Sequence, residues 1–95
     1  MYFYLPDLSE HGFFETNCRI KGQQFYFIFR WNEYCDCAFV RILDTERNIL
    51  LDDTALRVGL VIRLDERILP MLQFKGKEYP PLKETIKDYY IEWEE

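Results

Sequence analysis

Phe25-Tyr26-Phe27-Ile28-Phe29-Arg30-Trp31 and, a short turn later, Cys37-Ala38-Phe39-Val40-Arg41-Ile42-Leu43 decide the fold. In the first run Phe25, Phe27, Phe29 and Trp31 alternate with Tyr26, Ile28 and Arg30, the period-2 pattern of a β-strand. Both faces carry apolar groups, so a central strand is expected. In the second run Cys37, Phe39, Arg41 and Leu43 alternate with Ala38, Val40 and Ile42. Asn32-Glu33-Tyr34 turns the chain between them, and the pair reads as a hairpin.

Working outward from this hairpin, Lys21-Gly22-Gln23 is a turn that follows a strand over Phe13 to Ile20. On the other side, Asp44 to Asn48 turns into a strand beginning at Ile49 to Leu51, with Asp52-Asp53 polar after it. Thr54 to Val58 fits either one helical turn or more strand, and Gly59 breaks it. Leu60 to Leu64 reads as a strand. Ile68 to Lys75 reads as another, weakened by Pro70 and ended by Gly76. Pro80-Pro81 imposes an extended turn, and Leu82 to Ile86 suits a short helix. Tyr89, Ile91 and Trp93 alternate with Tyr90, Glu92 and Glu94 in a last strand. At the start, Tyr2 to Leu5 is an aromatic run stopped by Pro6, and Asp7 to Gly12 is polar. The expectation is one mostly-β domain over residues 1–95, an antiparallel barrel or sandwich of about seven short strands with room for one helical turn. Residues 1–6 form an extended strand or an arm.

The chain has 95 residues, 48 % of them hydrophobic and 18 % aromatic, which suits one domain with a packed core and not a disordered chain. So high an aromatic share also leaves rings for the surface, where Tyr and Trp anchor protein contacts. The formal net charge of −5 argues against nucleic acid, whose binding starts from a basic patch. No apolar run approaches the ~18 residues of a membrane-crossing helix, and the opening lacks the basic region of a signal peptide. The three cysteines are an odd number, which fits reduced thiols inside a cell better than a disulfide framework.

Cys35-Asp36-Cys37 is the local motif with most chemical content. Two thiolates plus Cys18 and His11 make a zinc set arithmetically, but without the ligand spacing that such sites use. Cys37 therefore reads as a small core residue and Cys35 as part of the hairpin turn. His11 reads as an exposed loop residue. Adjacent carboxylates on a strand face opposite ways, so Asp52-Asp53 and Glu94-Glu95 read as loop and terminal charges, not acid/base pairs. The four glycines are scattered and form no phosphate-cradling loop. No constellation meets the geometric needs of catalysis, and no metal or cofactor is expected. Phe29, Arg30 and Trp31 are the best candidates for a base-stacking platform, which the acidic total disfavours.

From Gly22 to Asn48 the chain shows a Gly-containing turn, an aromatic strand ending in Arg30-Trp31-Asn32, and a second strand Phe39-Val40-Arg41-Ile42. Asp44 then opens a turn before Ile49-Leu50. This resembles the baseplate plug family of contractile-tailed phages and prophages. Leu56-Arg57-Val58-Gly59, the strand led by Asp88-Tyr89-Tyr90 and the opening Met1-Tyr2-Phe3-Tyr4-Leu5-Pro6 are similar to the family's middle, end and start. The chain departs from the pattern at Cys35 and Cys37, where polar residues or Gly are usual.

The resemblance implies a non-enzymatic virion part, made in the host cytoplasm, that helps close the tail lumen. Its partners would be hub, tube and other baseplate proteins in an oligomeric or symmetric assembly. The candidate interface residues are Tyr2, Phe3, Tyr4 and Leu5, which could add as a strand to a neighbour or pair within their own sheet, and Arg30, Trp31 and Asn32. For those three the alternative is structural: Trp31 capping the core, Arg30 stacking on it or pairing with Glu33, Asn32 shaping the turn. The competing function is a small intracellular β-barrel adaptor that binds a protein or a single-stranded oligonucleotide.

Overall fold

A computed structural model describes residues 1–64 and 70–94. Among these, the strands are β1 (Tyr2–Tyr4), β2 (Phe13–Ile20), β3 (Gln23–Asn32), β4 (Cys37–Leu43), β5 (Ile49–Ala55), β6 (Val61–Ile62), β7 (Leu72–Lys75) and β8 (Tyr90–Glu92). A single 3-10 turn spans Ile86–Asp88 just before β8. One antiparallel sheet has the order β2-β3-β4-β5 and the other β1-β8-β7-β6. The two sheets share no strand, so the fold is a mostly-β sandwich and not a closed barrel.

Local chemistry explains the first sheet. Lys21 (φ 52°) and Gly22 (φ 76°) are both left-handed, the geometry of a two-residue hairpin turn matched to strand twist. They set the register Ile20↔Gln23, which runs unbroken to Phe13↔Arg30. On β3, Phe25, Phe27, Phe29 and Trp31 face inward and are buried, while Arg30 is exposed. β4 turns Ala38, Val40 and Ile42 inward beside them, all fully buried. The expected central strand is β3, flanked by β2 and β4.

The second sheet closes the core. Leu72 and Phe74 on β7, Ile91 on β8, and the flanking Tyr89 and Trp93 are all buried. Phe3 of β1 joins the layers: its ring lies 5.3 Å from Phe27, 6.2 Å from Phe29 and 5.9 Å from Trp93, each edge to face. Such pairs add about 0.5–1.5 kcal/mol each beyond the area they bury.

Several local expectations need correction. Asp52 and Asp53 lie within β5, not in a loop after it. The β4–β5 register shifts between Val40 and Ile42, a bulge-like irregularity that leaves Asp52 and Asp53 without a Cα partner on β4. The Thr54 to Val58 segment continues β5 as far as Ala55. The expected helix over Leu82 to Ile86 is a turn, with the 3-10 turn following at Ile86–Asp88. Strand β6 covers only Val61–Ile62 of the span expected from Leu60 to Leu64. Ile68, at the start of the expected 68–75 strand, lies outside the described residues, as does Glu95; β7 begins at Leu72.

Of the two readings of the opening segment, the structure takes pairing within its own sheet. Tyr2, Phe3 and Tyr4 pair antiparallel with Glu92, Ile91 and Tyr90. Met1 and Trp93 exchange both backbone hydrogen bonds at 2.9 Å, and Leu5 N donates to Tyr89 O at 2.9 Å. Residues 1–6 are therefore a docked edge strand and its exit, not a detached arm.

Candidate functional site

Arg30-Trp31-Asn32 do not form one patch, because successive strand residues face opposite ways. Trp31 points into the core, and its buried indole N–H meets no acceptor among the described residues. Asn32 Oδ1 accepts from the backbone N–H of Tyr34 (2.8 Å) and Cys35 (3.1 Å), a side-chain mimic of a turn. Arg30 pairs with Asp53, not Glu33: its Nη2 lies 2.7 Å from Asp53 Oδ2, and its guanidinium sits 5.7 Å from the centre of the Phe39 ring.

That contact belongs to a charged lattice on the outer face of the β2–β5 sheet. Arg41 Nη2 also reaches Asp53 Oδ2 (3.2 Å), and Arg41 Nε sits 3.2 Å from Asp52 Oδ1 without hydrogen-bond alignment. Arg47 holds Glu15 in a fork of 2.9 and 3.3 Å and lies 4.9 Å from the centre of the Tyr26 ring. Exposed pairs of this kind contribute little to stability, because water screens them. Their larger consequence is that Arg30, Arg41 and Arg47 are already matched by carboxylates, so this face offers little free positive charge to a phosphate chain.

The opening residues and β2 make a different surface. The hydrogen bonds at Met1 and Leu5 direct the odd-numbered backbone groups of β1 toward β8. By the alternation of an antiparallel ladder, Tyr2 and Tyr4 then aim their N–H and C=O groups at the open edge. On β2, Trp31 N donates to Gly12 O (2.8 Å), so the even positions face β3 and the odd positions face the other open edge. The two edges border one cleft of about 300 Å³ lined by Phe3, Tyr4, Pro6, Phe14, Thr16 and Cys18.

On these two strands Tyr4 (56 %) and Phe14 (46 %) are exposed and line the cleft, while Tyr2 (59 %) and Phe13 (55 %) are exposed outside its lining. Tyr2 and Tyr4 pack edge to face on each other and on Tyr90, with ring centres 5.5–5.7 Å apart. Of the opening residues, Leu5 is buried in the core. Phe3 is partly buried between the sheets and also lines the cleft.

Phe13, Phe14 and Tyr90 were not anticipated as surface anchors. A signal did exist: in Phe13-Phe14 one ring must face outward whichever way the strand is turned. That the inward ring is also exposed follows from β2 being an edge, which periodicity does not reveal.

Cys35 is exposed and Cys37 buried, and both line a second cavity with Leu56, Arg57, Glu78 and Pro81. His11 is exposed in the turn before β2. Among the described residues no three His, Cys, Asp or Glu side chains gather as a metal site. No described helix is long and apolar enough to cross a membrane.

The shifted titrations are structural in origin. Hydrogen bonds from Arg47 hold Glu15 below the usual carboxylate range, and the Asn48 and Glu46 N–H groups do the same for Asp44. A depressed folded pKa adds stability at neutral pH that is lost as the pH falls through and below about 4. Burial raises Tyr89, and Glu92, 2.7 Å away, raises Lys75, so their contributions fade above about pH 10. Melting temperature followed against pH should therefore show a plateau with a fall at each end. Asp44→Asn should flatten the acid limb and leave the alkaline limb unchanged; an unaltered acid limb would show that Asp44 has no part in it.

Comparison with protein-family models, curated proteins and solved structures finds no match for the chain.

Proposed function

We propose that the chain is a structural, non-catalytic part of a contractile-phage tail baseplate, bound to its neighbours through the β1/β2 flank. The observation that carries this reading is the pair of open strand edges, β1 and β2, that border one cleft lined by the exposed Tyr4 and Phe14, with Tyr2 and Phe13 exposed outside it on the same strands. Open edges with apolar side chains attract further strands, and proteins that must stay separate blunt them with Lys, Pro or short length. Strand β2 keeps an eight-residue edge that begins with two phenylalanines.

In this reading an extended segment of a hub or tube subunit pairs with the outer edge of β1. The backbone groups of Tyr2 and Tyr4 supply the hydrogen bonds, and the cleft takes one apolar side chain of the partner. The partner class rests on the sequence resemblance to baseplate plugs; the flank supplies the means of docking. The protein would be made in the host cytoplasm, assembled into the virion and help close the tail lumen. The adaptor reading shares the exposed rings but lacks the cationic groove that a single strand of nucleic acid needs.

The test is light scattering of the purified protein mixed with candidate hub and tube proteins. A defined complex is expected, and Tyr4→Lys with Phe14→Lys should weaken it by at least about tenfold, the equivalent of ~1.4 kcal/mol. Both positions are exposed, so the variant should keep its fold by circular dichroism. A complex indifferent to the two lysines would remove the flank from the interface. Salt-sensitive retention on single-stranded DNA, with no affinity for tail proteins, would replace this reading with the adaptor.

A further inference from the structure

Cys35 and Cys37 are held together by the turn that precedes β4. Asn32 Oδ1 fixes the N–H groups of Tyr34 and Cys35, and Asp36 is left-handed at φ 52°. In a fully extended strand, residues two apart have Cα atoms about 6.6 Å apart, near the ~6.8 Å limit for a disulfide. A left-handed residue between them contracts that span and ends the strict alternation of faces. Both cysteines accordingly line one cavity of about 280 Å³, together with Leu56, Arg57, Glu78 and Pro81.

The two thiols differ in access. Cys35 is exposed to solvent, whereas Cys37 is 7 % exposed. Cys18 lies on β2 and lines the separate β1/β2 cleft.

We propose that Cys35 and Cys37 form a reversible thiol–disulfide site that is oxidised by exchange with a small-molecule disulfide such as oxidised glutathione. Cys35, the accessible thiol, attacks one sulfur as its thiolate. A Cys35–glutathione mixed disulfide forms and one glutathione thiol leaves. Cys37 then attacks the Cys35 sulfur, closing the Cys35–Cys37 disulfide, and the second glutathione departs carrying the proton from Cys37. Two electrons pass from the protein thiols to the glutathione disulfide, which ends as two thiols. Burial disfavours the Cys37 thiolate, so Cys37 must give up its proton as it attacks, and its place beside Cys35 in one cavity makes that second step intramolecular. A ring closed over one intervening residue restrains the unfolded chain little, so the bond should be easily reduced again.

The experiment uses the full chain carrying Cys18→Ser, incubated with oxidised glutathione and read by intact mass and peptide mapping without reductant. The expected product has lost two hydrogens, carries no glutathione, and yields a Cys35–Cys37 linked peptide that excess reduced glutathione reverses. Cys37→Ser should stop at one glutathione on Cys35. Cys35→Ser, an exposed and conservative change, should stay unmodified in the same time. Accumulation of a glutathione adduct on the protein with both cysteines present, or no reaction at either thiol, would overturn the proposal.

Discussion

Replacing Gly76 by Ala should destabilise the domain by about 3 kcal/mol, a fall of roughly 15 °C in melting temperature for a chain of this size. Two effects add. Gly76 has φ 154°, a conformation that side-chain-bearing residues rarely adopt. A Cβ built there would also lie 2.6 Å from Tyr89 Cδ2, 2.8 Å from Cγ and 3.0 Å from the Tyr89 Cα.

Tyr89 cannot easily yield. Its ring is fully buried, stacks on Phe74 at 5.5 Å with an 8° interplanar angle, and its hydroxyl donates to the Tyr79 carbonyl. Gly59→Ala is the control: φ is 90° there, but nothing lies within 4 Å of the new carbon, so only backbone strain of about 1–2 kcal/mol is expected. Calorimetry of the two variants separates the effects. Equal losses would show that contact with Tyr89 costs nothing.

The second large effect is expected at Phe27. Phe27→Ala should cost about 3–5 kcal/mol, a large part of the ~5–15 kcal/mol that holds a small domain folded. The Phe27 ring is fully buried and touches Phe3 of the facing sheet and Phe29 of its own. Its loss opens a cavity between the layers that β3 cannot collapse to fill, because both of its edges are paired. Phe13→Ala removes the same atoms from an exposed site and should change stability by no more than about 0.5 kcal/mol. Urea unfolding should show a lower midpoint with an unchanged slope for Phe27→Ala. If both variants lost the same stability, the inward face of β3 would not be the core.

The Phe27 contrast rests on an alternation that was legible from the residues. The same alternation put Trp31 on the face of Phe27 and Phe29, but only the structure turned that face inward and took Trp31 out of the candidate interface. The turn at Asn32 was legible too, since a short amide side chain satisfies nearby N–H groups without help from the rest of the fold. The place of Asp52 and Asp53 was not. Two adjacent carboxylates look like a loop until Arg30 and Arg41, on two neighbouring strands, are brought across from them. The candidate site divides in the same way. Tyr2 and Tyr4 stood out as part of an aromatic run, whereas the meeting of Tyr4 with Phe14 at one cleft depends on β1 and β2 being edges of different sheets.

By itself the sequence determined the class of fold, the alternation of side chains along β3 and β4, the hairpin turns and the bounds of β2. All of these follow from side-chain direction and backbone preference within a few residues, which a strand expresses wherever it ends up. The tertiary structure alone decided that β1 pairs with β8, that the sheets stay open as a sandwich, and that Cys35 and Cys37 share a cavity with Arg57 and Pro81. Those outcomes join segments tens of residues apart. Periodicity carries no information about which strand lies beside which, so they were settled only when the two apolar faces were buried against each other.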